Sequence, residues 1–237
     1  MMQASEAAVA VAGISSMATR PVLARLAAAY ERDTGTRVAI TSVGGVDAVR
    51  RVRGGEPFDV VVLASDAIEQ LATDGHVERG SRVDFARSGI AVAVAVASGA
   101  SRPDIGTEAA LRDAILGAAR IGYSTGPSGT HLMRLFARWG IVDAIAPRIV
   151  QAPPGVPVGA LIASGDVELG FQQMSELMHV PGVAIVGALP DAVQAVTVFA
   201  AAVLAVAHDR VAAGRFLAYL ASQEAAHIKR EHGMESA

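Results

Sequence analysis

The sequence predicts a two-lobed α/β protein, each lobe a mainly parallel sheet flanked by helices, and three observations carry that expectation. Strand and helix signals alternate through the first third of the chain, the pattern of repeated βα units and a parallel sheet. Two long apolar runs, SGIAVAVAVAS (Ser88 to Ser98) and QAVTVFAAAVLAVA (Gln194 to Ala207), lack turn residues and bracket a second βα series. With 237 residues, 52% hydrophobic and only 4% aromatic, the chain can bury a large core built mostly from Ala, Val, Leu and Ile. The expected division is a discontinuous first lobe, residues 1–88 plus 200–237, and an inserted second lobe, residues 89–199. The two long runs are then the crossing strands.

In the first lobe, Ala8 to Ala12 reads as a buried strand, and the polar turn SSMATR leads into a helix from Pro21 to Asp33. Pro21 suits a first helical turn and Gly35 a helix stop. Arg37 to Thr41 is a second strand, and VGGVD turns it into a helix ending at Gly54-Gly55. The third strand, FDVVVLA (Phe58 to Ala64), is apolar and β-branched, as a strand covered on both faces should be. Ser65-Asp66 opens another helix, Ala67 to Asp74. The inserted series runs through Arg120 to Tyr123, a helix from Ser128, Ile149-Val150, a helix from Val156 to Ala163, and Glu168 to Phe171. Two helices, Asp209 to Leu220 and Gln223 to His232, close the chain.

Several function classes are disfavoured. A net charge of −3 with no Lys/Arg cluster beyond the short VRRVRGG (Val49 to Gly55) argues against nucleic acid. No cysteine is present, which removes disulfides, thiolate metal sites and a cysteine nucleophile. The six histidines lack H-x-x-x-H spacing, and no metal or cofactor is expected. The loop GYSTGPSGTH echoes a phosphate-binding loop but has no Lys where one is needed, and no G-x-S-x-G elbow occurs. The apolar runs are too short to span a bilayer. MMQASEAAVAVAG lacks a basic n-region, so the expectation is periplasmic if a leader was removed and cytoplasmic otherwise.

In open parallel sheets, ligands gather where strands end and helices begin. Four loops occupy such places: ISSMATR (Ile14 to Arg20), SVGGVD (Ser42 to Asp47), STGPSGTH (Ser124 to His131) and PPGVPVG (Pro153 to Gly159). FQQMSE (Phe171 to Glu176) follows the last inserted strand. Each loop is small, hydroxyl-bearing or Gly-rich, and offers unpaired helix-start N–H groups to a compact anion. Candidate ligand contacts are Ser15, Ser16 and Met17; Gly44, Gly45 and Val46; Ser128 and Gly129; Val156; and Gln173. Each has an ordinary use as well: Ser15, Ser16 and Ser128 as helix caps, Gly44 and Gly45 as turn residues, Gln172 or Gln173 in a structural hydrogen bond. Arg50 and Arg51 either neutralise a carboxylate or face solvent. His131 and Glu176 are the available bases, with solvent-facing positions as the alternative.

The string GEPFDVVVLASD (Gly55 to Asp66) resembles the segment ending the third strand of molybdate-type periplasmic solute-binding proteins. The turn PSG (Pro127 to Gly129) is similar to their P-A-G turn, and GDVELGF (Gly165 to Phe171) to their G-E-A-x-x-G-I stretch. With the spacing of the two crossing runs, the resemblance covers nearly the whole chain. It implies a type II periplasmic-binding-protein fold with an oxyanion or small organic anion in an interlobe cleft. Such proteins hold molybdate with serine hydroxyls in the first two loops and a tyrosine after the last inserted strand. Here Gly44, Gly45 and Val46 stand where second-loop serines are expected, and Gln173 stands in the tyrosine's place. Losing hydroxyl donors, each worth about 1 kcal/mol or more in a dry site, favours an organic carboxylate over molybdate. The expected function is capture of that anion for an ABC-type transporter by a monomer. The alternative is a cofactor-free isomerase, since aconitate isomerase is similar to this family; His131 and Glu176 would then be the catalytic groups.

Overall fold

The computed structural model describes residues 10–96, 102–153 and 155–237. Their contacts divide them into two compact units. One takes the chain up to Ala86 with Val198–Glu231 and Ser236–Ala237; the other takes Arg87–Thr197 with His232–Glu235.

The first unit begins with β1 (Val11–Ser16), a 3-10 turn (Met17–Thr19) and α1 (Arg20–Thr34), followed by β2 (Val38–Val43), α2 (Gly45–Arg53), β3 (Val60–Ala64) and α3 (Ser65–Thr73). β1 pairs in parallel with both β2 and β3, because each return passes through a helix packed on the sheet. Gly13 in β1 makes room for its neighbours: a Cβ there would force the Ile40 and Val60 side chains of the flanking strands to shift. β3 is buried along nearly its whole length, as its Val-rich sequence requires. On one sheet face Ile14, Val61 and Leu63 pack with Ala48 and Val52 of α2 and Ile68 and Leu71 of α3. Gly35 stops α1 in the left-handed conformation, φ 72°.

β4 (Val83–Ala95) starts in the first unit and runs into the second. There follow α4 (Glu108–Gly117), β5 (Ile121–Tyr123), α5 (Pro127–Arg138), α6 (Val142–Ile145), β6 (Ile149–Gln151), α7 (Val158–Ala163), β7 (Leu169–Gln173), α8 (Met174–Leu177) and β8 (Val183–Ala188). β5 lies between β6 and β7 and is parallel to both, while β4 lies antiparallel between β7 and β8. The α4–α5 face is filled by Ile90, Val92, Ile121, Leu132, Phe136 and Phe171, and the α7–α8 face by Ala91, Ala93, Val158, Ile162 and Leu177. β9 (Val196–Val203) returns to the first unit and pairs antiparallel with β3; α9 (Arg210–Ala221) and α10 (Ala226–Glu231) complete it. Tyr30 of α1 packs against Phe216 and Tyr219 of α9, ring centroids 5.3 and 5.2 Å apart.

The elements depart from expectation at their ends. β1 extends through Ser15 and Ser16, read as turn, because β2 pairs with it residue for residue as far as Val43. The expected start at Ala8 and the end of the first crossing run at Ser98 lie outside the described residues. β4 begins earlier, at Val83, and β9 ends at Val203 rather than Ala207. The edge strand β8 and the helices α4, α6 and α8 are additional to the elements expected from the sequence. Among the described residues no helix is long and apolar enough to cross a membrane.

Candidate functional site: two clusters of strand-end loops

In the first unit, three parallel strands set Ser16, Val43 and Ala64 at the same sheet edge, and each leads directly into helical backbone. Ser15 is fully buried and its Oγ lies 2.8 Å from Ser42 Oγ, the register partner on β2. Ser42 therefore supplies a hydroxyl at the second strand end, one that the Gly44-Gly45-Val46 turn had seemed to deny. The Ser15 O–H donates to the Ser16 carbonyl at 3.3 Å, so the Ser42 O–H is spent on Ser15 Oγ. Ser16 differs: its buried Oγ has no hydrogen-bond partner, while its carbonyl accepts from Thr19 Oγ1 at 3.1 Å. Met17 sits half-buried in the adjoining turn. Gly44 is the residue before α2, and Gly45 and Val46 are exposed in its first turn, where N–H groups have no intrahelical acceptor. Arg20, exposed at the start of α1, borders a surface depression shared with Ile40, Ser42 and Glu31.

In the second unit, the parallel strands β5, β6 and β7 likewise end along one edge, at Tyr123, Gln151 and Gln173. α5 opens with Pro127, so its first free amides are those of Ser128 and Gly129. Ser128 is buried and its Oγ lies 2.9 Å from Ser124 Oγ, which also accepts from the Gly126 N–H. Gly129 packs so closely on the Ser124 carbonyl that a Cβ would overlap it. Gly129→Ala is therefore expected to displace the 124–128 turn and lower the melting temperature by several degrees, measured by thermal unfolding. Val156 is exposed, and its N–H donates to the Pro153 carbonyl at 3.0 Å, so that amide is engaged within its own turn.

The two glutamines that end β7 face opposite sides of the sheet. Gln173 is buried and saturated: Oε1 accepts from Thr197 Oγ1 at 2.7 Å, and Nε2 donates to the carbonyls of Ser88 at 2.9 Å and Gly89 at 3.2 Å. Gln172 is buried too; its Oε1 accepts from the Val158 N–H at 2.9 Å and its Nε2 donates to Glu176 Oε1 at 2.7 Å. Burial pushes the Glu176 carboxyl up to about 7, against the opposing pull of the Gln172 N–H. His131 Nε2 lies 2.8 Å from the Val193 carbonyl, which fixes the proton on that nitrogen. Both candidate arginines are committed elsewhere. Arg50 pairs with Asp47, and Arg51 forks onto Glu56 at 2.6–2.9 Å over the Phe58 ring, holding the Glu56 carboxyl below the usual range. Among the described residues, no group of three or more His, Cys, Asp or Glu side chains is placed to hold a metal ion.

Ser42, Ser124 and Arg20 bound the loops named from the sequence but are not among its candidate contacts, and Gln172, weighed there beside Gln173, takes the structural hydrogen bond to Val158. The register of β1 with β2 brings Ser42 to Ser15, and only an explicit strand pairing exposes it.

The profile of the bacterial extracellular solute-binding proteins matches residues 11–235. The chain is 36% identical to an aconitate isomerase from Pseudomonas sp over 228 residues, covering 94% of this chain and 86% of that protein. It is 27% identical to the molybdate-binding protein ModA of Azotobacter vinelandii, covering 74% of this chain and 67% of the relative. The solved structure of the periplasmic molybdate-binding protein of Azotobacter vinelandii superposes with a TM-score of 0.78 at 21% identity, covering 94% of this chain and 98% of that one. The predicted two-lobed α/β fold is thus that of the ModA-like periplasmic binding proteins. By the extent of these matches, the chain belongs to the bacterial extracellular solute-binding protein family.

Proposed function

We propose that the protein captures one small organic carboxylate anion on its strand-end loops and delivers it, from the periplasm and as a monomer, to an ABC-type transporter. The observation that carries the carboxylate is the shortage of free hydroxyls. With the Ser15 O–H donating to the Ser16 carbonyl at 3.3 Å, the Ser42 O–H donates to Ser15 Oγ at 2.8 Å, and Gln173 is saturated where the resemblance places a tyrosine donor. A tetrahedral oxyanion needs many hydroxyl donors around it. A planar carboxylate is served by fewer: the unengaged amides of Gly45, Val46, Ser128 and Gly129, the Ser16 hydroxyl, and the Arg20 guanidinium at the rim. The 36% identity to an aconitate isomerase supports the same ligand class.

A thermal-shift panel of molybdate, tungstate, sulfate, citrate and both aconitates tests this. Saturation at about 100 times the dissociation constant adds roughly 2.7 kcal/mol, a clear rise in melting temperature. The expected response is to citrate or an aconitate. A response to molybdate or tungstate alone overturns the reading.

One observation favours a second reading, a cofactor-free isomerase of a small polycarboxylate. Glu176 is a desolvated carboxyl with its proton affinity near neutrality, suited to taking a proton from a carbon beside carboxylates and returning it at the allylic position. Incubation with either aconitate, followed by proton NMR, would then show interconversion. Its rate should rise with pH through about 7 as the base ionises, and it should be lost in Glu176→Gln with binding retained. Unchanged substrate leaves the binding reading in place.

A further inference from the structure

We propose that His179 and His232 together hold a late first-row transition-metal ion, copper(II) most tightly, which clamps the C-terminal segment onto the second unit; the site is independent of the anion reading. Both histidines belong to that unit. Their rings meet edge-on, with centroids 5.3 Å apart and planes at 70°. A metal about 2.0 Å from one nitrogen of each ring lies roughly 3 Å from each ring centre, and at a bent angle it sets the centres about 5–6 Å apart. The observed separation falls in that range. Each imidazole has two nitrogens, so one can take the metal while the other keeps a protein partner that orients the ring.

The backbone fixes both residues before any ion arrives. His179 lies just past α8, whose Leu177 is buried. The Met178 N–H donates to the Met174 carbonyl at 3.0 Å and the Val180 N–H to the Leu177 carbonyl at 3.2 Å, so His179 sits in a turn closed on both sides. His232 opens a segment tied to the start of the sheet. Ser88 Oγ donates to the Gly233 carbonyl at 3.2 Å, and Arg87 and Glu235 exchange backbone hydrogen bonds at 2.8 and 2.9 Å. Gly233 lets the two pieces meet: its φ of 68° is left-handed, and a Cβ there would come within 2.7 Å of Met174 Cγ and 3.2 Å of Met178 Sδ. Ligands positioned in advance lose little freedom on binding.

The donors select the ion. Among the described residues no Asp, Glu, Cys or third His joins this pair in a metal-holding group, so oxygen-seeking Mg²⁺ or Ca²⁺ finds no cage. Imidazole suits copper, nickel and zinc, and the affinity of a given nitrogen site for these ions peaks at Cu²⁺. His179 is exposed and His232 half-buried, so an ion reaches the pair from solvent and water fills its remaining positions. Sequence spacing hides such a pair. An H-x-x-x-H motif sets two histidines on one helix, whereas these two come from segments far apart in the chain.

Untagged full-length protein is titrated calorimetrically with CuCl2, NiCl2 and ZnCl2, and with MgCl2 as control. One equivalent of Cu²⁺ is expected, held more tightly than Ni²⁺ or Zn²⁺, with no response to Mg²⁺. At about 100 times its dissociation constant, Cu²⁺ should raise the melting temperature by about 5 °C or more. His179→Gln and His232→Gln should each weaken binding about tenfold or more and remove most of that rise. His227→Gln, at an exposed histidine outside the pair, should leave both unchanged. Electron paramagnetic resonance of the Cu²⁺-loaded protein should show two equatorial nitrogens, falling to one in either variant of the pair. Copper held equally tightly by His179→Gln or His232→Gln, a wild-type spectrum with a single nitrogen, or no copper binding at all overturns the proposal.

Discussion

Lys229→Met is expected to make the protein more stable, by about 1–3 kcal/mol at neutral pH, with a melting temperature several degrees higher. Lys229 of α10 is completely buried, and its Nζ has no hydrogen-bond partner. The Phe85 ring, 5.9 Å from the ammonium, offers a weak cation–π contact that offsets only part of the desolvation cost. Burial accordingly pulls the amine from 10.5 down to about 8. Because the folded-state value is depressed, the penalty is complete below about pH 8, where both folded and unfolded chains carry the proton. It fades as pH rises from about 8 toward 10.5, where only the unfolded chain remains protonated. Denaturant unfolding of wild type and Lys229→Met should show the gap narrowing across that range. A gap that is constant with pH, or a variant less stable at pH 7, would sink this account. Methionine fits the slot with an unbranched, flexible side chain.

The opposite sign is expected at Asp59. Its carboxylate is buried before β3 and holds three backbone N–H groups: Ala12 through Oδ2 at 2.8 Å, and His208 and Asp209 through Oδ1 at 2.8 and 3.5 Å. These bonds tie β1 to the segment that leads into α9, two parts of the first unit far apart in sequence. Asp59→Ala leaves those donors without an acceptor and should cost about 2–5 kcal/mol. Asp59→Asn keeps one acceptor oxygen and should recover stability in part. Chemical unfolding of both variants measures the difference; a loss below about 1 kcal/mol in Asp59→Ala would show that these hydrogen bonds are not what the side chain contributes.

Much of the fold was legible because its signals are local. FDVVVLA reads as a doubly covered strand from its own residues, and β3 is buried as expected. Gly35 and Gly54-Gly55 mark helix ends that occur in place. β8 escaped because VAIVGA is a short apolar run that periodicity cannot separate from a buried helix segment. Its identity as a strand comes from β4, which pairs along both edges.

The loop clusters could be located for a similar reason: strand-to-helix junctions are visible one at a time. How much donor capacity each residue retains was not visible. Gln173 is satisfied by Thr197 and by the Ser88 and Gly89 carbonyls, partners distant in sequence whose approach no local pattern encodes. The Val158 amide is likewise taken by Gln172, fourteen residues on, and Ser42 is taken by Ser15 across the sheet. Hydroxyls and amides can be counted from a sequence, but their vacancies depend on register.

The path of the chain has a consequence for how the molecule is made. The first unit needs Val198–Glu231 for β9, α9 and α10, and the second needs His232–Glu235, whose residues Gly233 and Glu235 bond to Ser88 and Arg87 at the start of its sheet. Synthesis as far as Ala86 therefore leaves the first unit without β9, α9 and α10, so that unit cannot settle while the inserted segment Arg87–Thr197 is still being translated.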